Sequence, residues 1–297
     1  MPYISAFWRR VSIAARAVLE GLAVLICGAL GWSAVTLGSL KLAAPLPWAA
    51  GPFALVTGSL FLWAFWRYLD GKWWPRSTAA TRHSNLRANR LPRQIWAWGL
   101  LAGVVATISF VALVTVWRRI IPLQPWTLPG VSRFSFLTAI CLLLGAAAEA
   151  GIIEEAAFRG YMQAPMEKRY GAPAAITVVS IAFGFVHLAN GNHELTWLLP
   201  YMVFGAILGL LAHLTNSIIP SVLLHSGVDA VRFWLAWHSR PVTPRPLLWQ
   251  TSPDTALWID LAVAVVSGLL SVLAFQRLAA VRMELQLSRG SIAKSTE

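Results

Sequence analysis

The chain has 297 residues, of which 57% are apolar and only 12% charged, about half the charge of an ordinary soluble domain. Its net charge of +12 sits in short segments between long apolar runs, with no basic groove or RNA-binding signature, so nucleic acid is excluded as the partner. The uncharged runs are each about the 20 residues needed to cross a bilayer. The sequence therefore predicts an all-α, polytopic transmembrane helix bundle.

Eight spans are predicted, over roughly 17–40, 48–66, 95–116, 134–158, 173–189, 196–214, 217–237 and 256–276. The first is too long for the apolar core of a cleaved signal peptide and reads as a retained span, despite Arg9 and Arg10 before it. Turn chemistry separates the runs: Pro45 and Pro47, the polar stretch 67–93, Pro122, Pro125 and Pro129, Gly171 with Pro173, Asn190-Gly191-Asn192, Asn216, and Pro241 through Pro253. Trp48, Trp66, Trp73, Trp74, Trp117, Trp197, Trp237 and Trp258 crowd their ends like an interfacial belt. With the N-terminus inside, 17 Lys and Arg lie in inner segments and 6 in outer ones, which predicts both termini on the cytoplasmic side of the cell (inner) membrane. Arg118 and Arg119 are an irregular outer pair. Cys27 and Cys141 both lie within apolar runs and read as small hydrophobes.

Ionisable groups inside spans are costly and each needs a reason. They are Glu20, Glu149, Glu154, Glu155, His187, His213, His225, Asp229, Arg232 and Asp260. Glu20, Asp260 and His213 lie near span ends and reach the interface. His193-Glu194-Leu195-Thr196-Trp197 begins like a zinc-protease motif, but Trp197 stands where its second His must be.

The rest concentrate in three places: Glu154-Glu155 with Arg159 in span 4, Phe183 with His187 in span 5, and His225 with Asp229 in span 7. On an α-helix Glu155 and Arg159 share a face and can pair. Glu154 is turned about 100° away and is free for another partner. Glu154 and His187 each lie about 16 residues from the turn at Tyr170-Gly171, so about 24 Å of helix brings them level, provided span 4 continues past Arg159. A carboxylate beside imidazoles can hold and deprotonate a water. Asp229 or a second His can bind the oxyanion or fix a tautomer. Two His and a carboxylate are equally a zinc shell with a position open for water. Both routes lead to hydrolysis.

The three motifs together resemble the signature of the CAAX protease and bacteriocin-processing (CPBP) family of intramembrane proteases, related to type II CAAX prenyl endopeptidases: E-E-x-x-x-R, then F-x-x-x-H, then H-x-x-x-N. The resemblance covers about 134–237. Residues 1–133 match only in being hydrophobic. It implies that Glu154 is the general base and that His187 helps to activate the water. It implies that Glu155 and Arg159 support them with Phe183 packed beside His187, and that His225 stabilises the oxyanion or binds metal. Zinc, if bound, would take Glu154, His187 and His225. Asp229 stands where Asn is frequent, and an ionised Asp cannot donate a hydrogen bond to an oxyanion.

The expected substrates are membrane-associated proteins or peptides, as in relatives that trim prenylated proteins or serve bacteriocin maturation or immunity. The expected organisation is 1–133 for spans 1–3 with a basic cytoplasmic loop, 134–237 for the catalytic core, and 238–297 for the last span and a polar tail. Two other classes remain in view: a transporter or ion pathway, and a non-catalytic membrane scaffold or immunity protein. The first predicts polar residues at several depths and inverted repeats, and the sequence has neither.

Overall fold

The computed structural model describes residues 12–122, 130–189, 195–238 and 246–295. The N-terminal arginine pair, Pro125, Pro129, Asn190 through Glu194 and Pro241 lie outside the described residues. No strand occurs among those described. The helices are α1 (Ile13–Leu42), α2 (Pro47–Leu69), α3 (Ala79–Leu86), α4 (Arg93–Ile120), α5 (Phe136–Tyr170), α6 (Ala172–Ala189), α7 (Leu198–Thr215), α8 (Ile219–His238) and α9 (Thr255–Ser295). Apart from the short α3, each overlaps one predicted span, with α5 and α9 running 12 and 19 residues past the ends expected for theirs.

Six of the described helices are long and apolar enough to cross a membrane, α6 is apolar but shorter, and α8 is made more polar by His225, Asp229 and Arg232. Large side chains such as Leu30, Leu269 and Leu273 are well exposed along the spans, which suits a lipid solvent rather than water. This is a multi-pass membrane protein.

The chain forms two compact units. The first comprises residues 1–88, 125–179 and 222–242, and its centre is α5, half of whose most apolar window is buried against 17% for α1. Small residues let its neighbours approach closely. A Cβ on Gly28 of α1 would meet Ile153 at 2.7 Å, and one on Gly21 would meet the carbonyl of Ala157 at 2.9 Å.

The stretch after α2, read from the sequence as a basic loop, is folded onto the end of α5. Arg82 is buried and donates to the carbonyls of Tyr68, Trp73 and Pro75. Arg87, buried and left-handed at φ 54°, pairs with Glu167 at 2.6 Å. Glu167 also accepts from Gln163 of α5. Tyr161 donates to the carbonyl of Leu69.

The second unit comprises residues 89–124, 180–221 and 243–297. There α4 packs along α9, with Ser109 donating to the carbonyl of Ala264 at 2.9 Å. Phe110 stacks on Phe204 of α7. The irregular Arg119 is fully buried: it forks onto both oxygens of Asp254 (3.0 and 2.9 Å) and donates to the carbonyl of Pro246. Asp254 in turn accepts the Leu257 N–H in the first turn of α9. This cation is a structural clamp, not a charge free at the membrane surface.

Candidate active site

The α5 helix changes character where its polar residues begin. It is α-helical over Phe136–Glu149, widens to i→i+5 hydrogen bonding over Ala150–Glu154 and Ala156–Gln163, and returns to α over Ala164–Tyr170. The sequence reading assumed α geometry throughout. The run Gly145-Ala146-Ala147-Ala148-Glu149-Ala150-Gly151 and the small Ala156, Ala157 and Gly160 put few side-chain atoms in the way of a wider turn. Such π segments recur at functional sites. A wider turn brings residues five apart nearer to one face than an α-helix does, which applies to Glu149 and Glu154 across Ala150–Glu154. As the depth argument requires, the helix continues past Arg159.

Glu155 and Arg159 are fully buried and pair at 2.7 Å. The same Glu155 oxygen lies 2.9 Å from Nδ1 of His225. A carboxylate held by a guanidinium can only accept, so His225 donates through Nδ1 and its Nε2 faces the other way. That nitrogen lies 4.0 Å from Oε2 of Glu154 and 3.7 Å from Oδ2 of Asp229. Both separations exceed a direct hydrogen bond and suit a bridging water or substrate atom. Asp229 is in turn 3.4 Å from Nε of Arg232. Arg232 thus supplies a physical reason for an acid where Asn is frequent. Each intramembrane arginine has its own carboxylate, Arg159 with Glu155 and Arg232 with Asp229.

The span 4 and span 7 residues meet because the two backbones nearly touch. A Cβ on Gly151 would strike Ser226 Oγ and lie 2.8 Å from the carbonyl of Val222 and 3.0 Å from the Ser226 N–H. Glycine is therefore required at the crossing that seats His225 on Glu155.

The span 5 motif lies in the second unit. Nδ1 of His187 is 2.9 Å from the carbonyl of Phe183. A carbonyl only accepts, so Nδ1 carries the hydrogen and Nε2 presents a lone pair. The ring lies 4.3 Å from both the Phe183 and Tyr201 rings. Phe183 is buried, against the α7 backbone near Gly205. Tyr201 was not anticipated; its only signal is an aromatic residue in the next span.

Glu149 falls outside the three sequence motifs. It lies within electrostatic reach of Glu154, Asp229 and His225. With spacing counted in α turns, nothing tied it to Glu154. Among the described residues no group of three or more His, Cys, Asp or Glu side chains is placed to hold a metal ion. No step is routed through a metal.

Residues 135–231 match the family model described as Type II CAAX prenyl endopeptidase Rce1-like. This stretch of the chain is similar to the Rce1-like CAAX protease family. No curated protein and no solved structure matches it. The Rce1-like region runs from the start of α5 into α8 and contains Glu149 and all seven residues of the three motifs. Arg232, the partner of Asp229, stands one residue beyond it. The family that this model describes is one of endopeptidases.

Proposed function

We propose that this protein is an intramembrane endopeptidase that hydrolyses peptide bonds of membrane-associated proteins or peptides with a water activated by Glu154. The observation that carries the reading is the single Glu155 oxygen shared by Arg159 and His225. It fixes the tautomer and direction of His225 and turns Nε2 toward Glu154 and Asp229. Glu154 is the least buried acid of the motif on α5, at 20% exposure against none for Glu155. A water between Glu154 and His225 gives its proton to Glu154 and attacks the scissile carbonyl. His225, when protonated at Nε2, stabilises the oxyanion that forms. Asp229 orients that imidazole. The family pattern gives His187, whose Nε2 carries a lone pair, a part in activating the water.

The family description points to prenylated CAAX proteins as the substrate class, and the wider resemblance adds membrane-associated peptides. The Lys and Arg distribution supports a site opening toward the cytoplasm.

The test compares wild type with Glu154→Ala and His187→Ala in native membranes by mass-spectrometric profiling of peptide termini. Termini present only with wild type identify proteolysis and its substrates. On a cut found this way, Glu154→Gln is expected to lower kcat by about 10²–10⁴-fold without a loss of stability. Identical profiles from three equally expressed, folded proteins would defeat the reading and favour a scaffold or transporter.

Asp229→Asn is expected to keep activity within about tenfold of wild type, since the amide preserves the shape and can donate to the oxyanion. Asp229→Ala is expected to lose more. Equal rates for both variants on the mapped substrate would remove Asp229 from the chemistry.

A further inference from the structure

A peptide bond is not broken by activating water alone. The amine leaves poorly as an anion, so the scissile nitrogen must receive a proton as the C–N bond breaks. The groups described above take a proton from water and hold the oxyanion, but none is assigned to supply this one.

Glu149 has the right placement. It is half-buried on α5, about one wide turn before Glu154. The charged groups acting on it are Glu154 and Asp229, both acidic, and His225. Its carboxyl joins none of the ion pairs that anchor Glu155 and Asp229 among the described residues. An intramembrane carboxyl is costly to keep without a role. Two carboxyls set close together in a low-dielectric site do not both ionise and instead share a proton.

We propose that Glu149 is the general acid of this site, donating its proton to the scissile nitrogen; the assignment rests on Glu154 acting as the base. The step begins with Glu154 ionised and Glu149 protonated. Water adds its oxygen to the carbonyl carbon, one of its protons passes to Glu154, and the carbonyl oxygen becomes an oxyanion. The nitrogen then takes the Glu149 proton, the C–N bond breaks, and the oxyanion electrons re-form the C=O. The products are a carboxylic acid and a neutral amine, with Glu154 protonated and Glu149 ionised. Passage of the proton from Glu154 back to Glu149 across one wide turn resets the pair.

The test uses the full-length protein and a peptide spanning a mapped cut, in two forms: one with the native amide, one ending at the same carbonyl as a 4-nitrophenyl ester. Nitrophenolate leaves without a proton. Glu149→Gln is expected to lower kcat on the amide by about 10²–10⁴-fold while keeping the ester rate within about tenfold. Glu149→Asp is expected to restore part of the amide rate. Retained ester turnover also shows that the variant is folded. Glu154→Gln is expected to lose both substrates. If the Glu149 variants lose both equally, or neither, while Glu154→Gln still loses both, the acid assignment fails and the base reading stands. If Glu154→Gln keeps both, the base reading fails and takes this proposal with it.

Discussion

Glu155→Ala is expected to destabilise the protein by about 3–5 kcal/mol, because it removes the carboxylate hydrogen-bonded to the buried Arg159 guanidinium. Arg159 and Glu155 are both fully buried, so water cannot replace the lost partner. The same change removes the acceptor that holds Nδ1 of His225, and peptide cleavage should fall below detection. A second variant separates the two effects. Glu155→Ala combined with Arg159→Met removes both charges and fills the space with an apolar chain, which is often neutral or stabilising at buried ion pairs. Thermal unfolding in mild detergent should show the double variant recovering most of the stability. Cleavage should stay lost, because the Glu155 oxygen that accepts from Nδ1 of His225 is still missing. If the double variant unfolds as early as the single one, the pair is not a charge-compensating unit. If it cleaves, Glu155 does not orient the imidazole.

Gly151→Ala should be nearly as damaging to activity, through position rather than charge. The added methyl meets the backbone of α8 at 2.8 Å and 3.0 Å, besides the Ser226 hydroxyl. Only the hydroxyl can move aside, so the helices must part by a few tenths of an ångström or more. Overpacking of this kind costs about 1–3 kcal/mol. The 2.9 Å bond from His225 to Glu155 is the contact that the separation stretches. A matched control lies on the facing helix: a Cβ on Gly227 meets nothing within 4 Å. Gly227→Ala should be neutral or gain up to about 1 kcal/mol from helix propensity. Cleavage rate and unfolding temperature measured side by side decide the matter. Equal behaviour of the two alanines would mean that the close crossing does not set the site.

The helices were legible because lipid demands long uncharged runs, and punctuation such as Gly171 and Asn216 marks their ends. Both residues are found in positive-φ turns at 81° and 51°. The pairing of Glu155 with Arg159 was legible from spacing alone. Burial of specific cations was not. Arg82, Arg87 and Arg119 read from the sequence as topological charge, yet Arg82 is held by carbonyls 7 to 14 residues before it, and Arg87 and Arg119 by carboxylates 80 and 135 residues away. No local pattern encodes those partners. The widening of α5 was equally hidden, since alanine and glycine favour no particular turn width. With it went the relation of Glu149 to Glu154, which a count in steps of 3.6 residues cannot reveal. The motif order pointed to a meeting of spans 4 and 7, but the contact itself depends on Gly151, which carries no chemistry and stood outside every motif.

The wide turns also bear on how this protein can change in length. Each residue of an α-helix advances the helix face by about 100°, and a wider turn advances it by less. The 35 residues from Phe136 to Tyr170 therefore carry an angular phase as well as a sequence. Losing one residue near Ala156 or Ala157 would let the helix tighten toward i→i+4 bonding. Arg159 and the Glu167 end that docks Arg87 would then swing relative to Glu149 and Glu154. Segments outside the spans can absorb such a loss by bending. This span can absorb it only by rotating one half of its contacts against the other, so changes of length should be far less tolerated here than changes of residue.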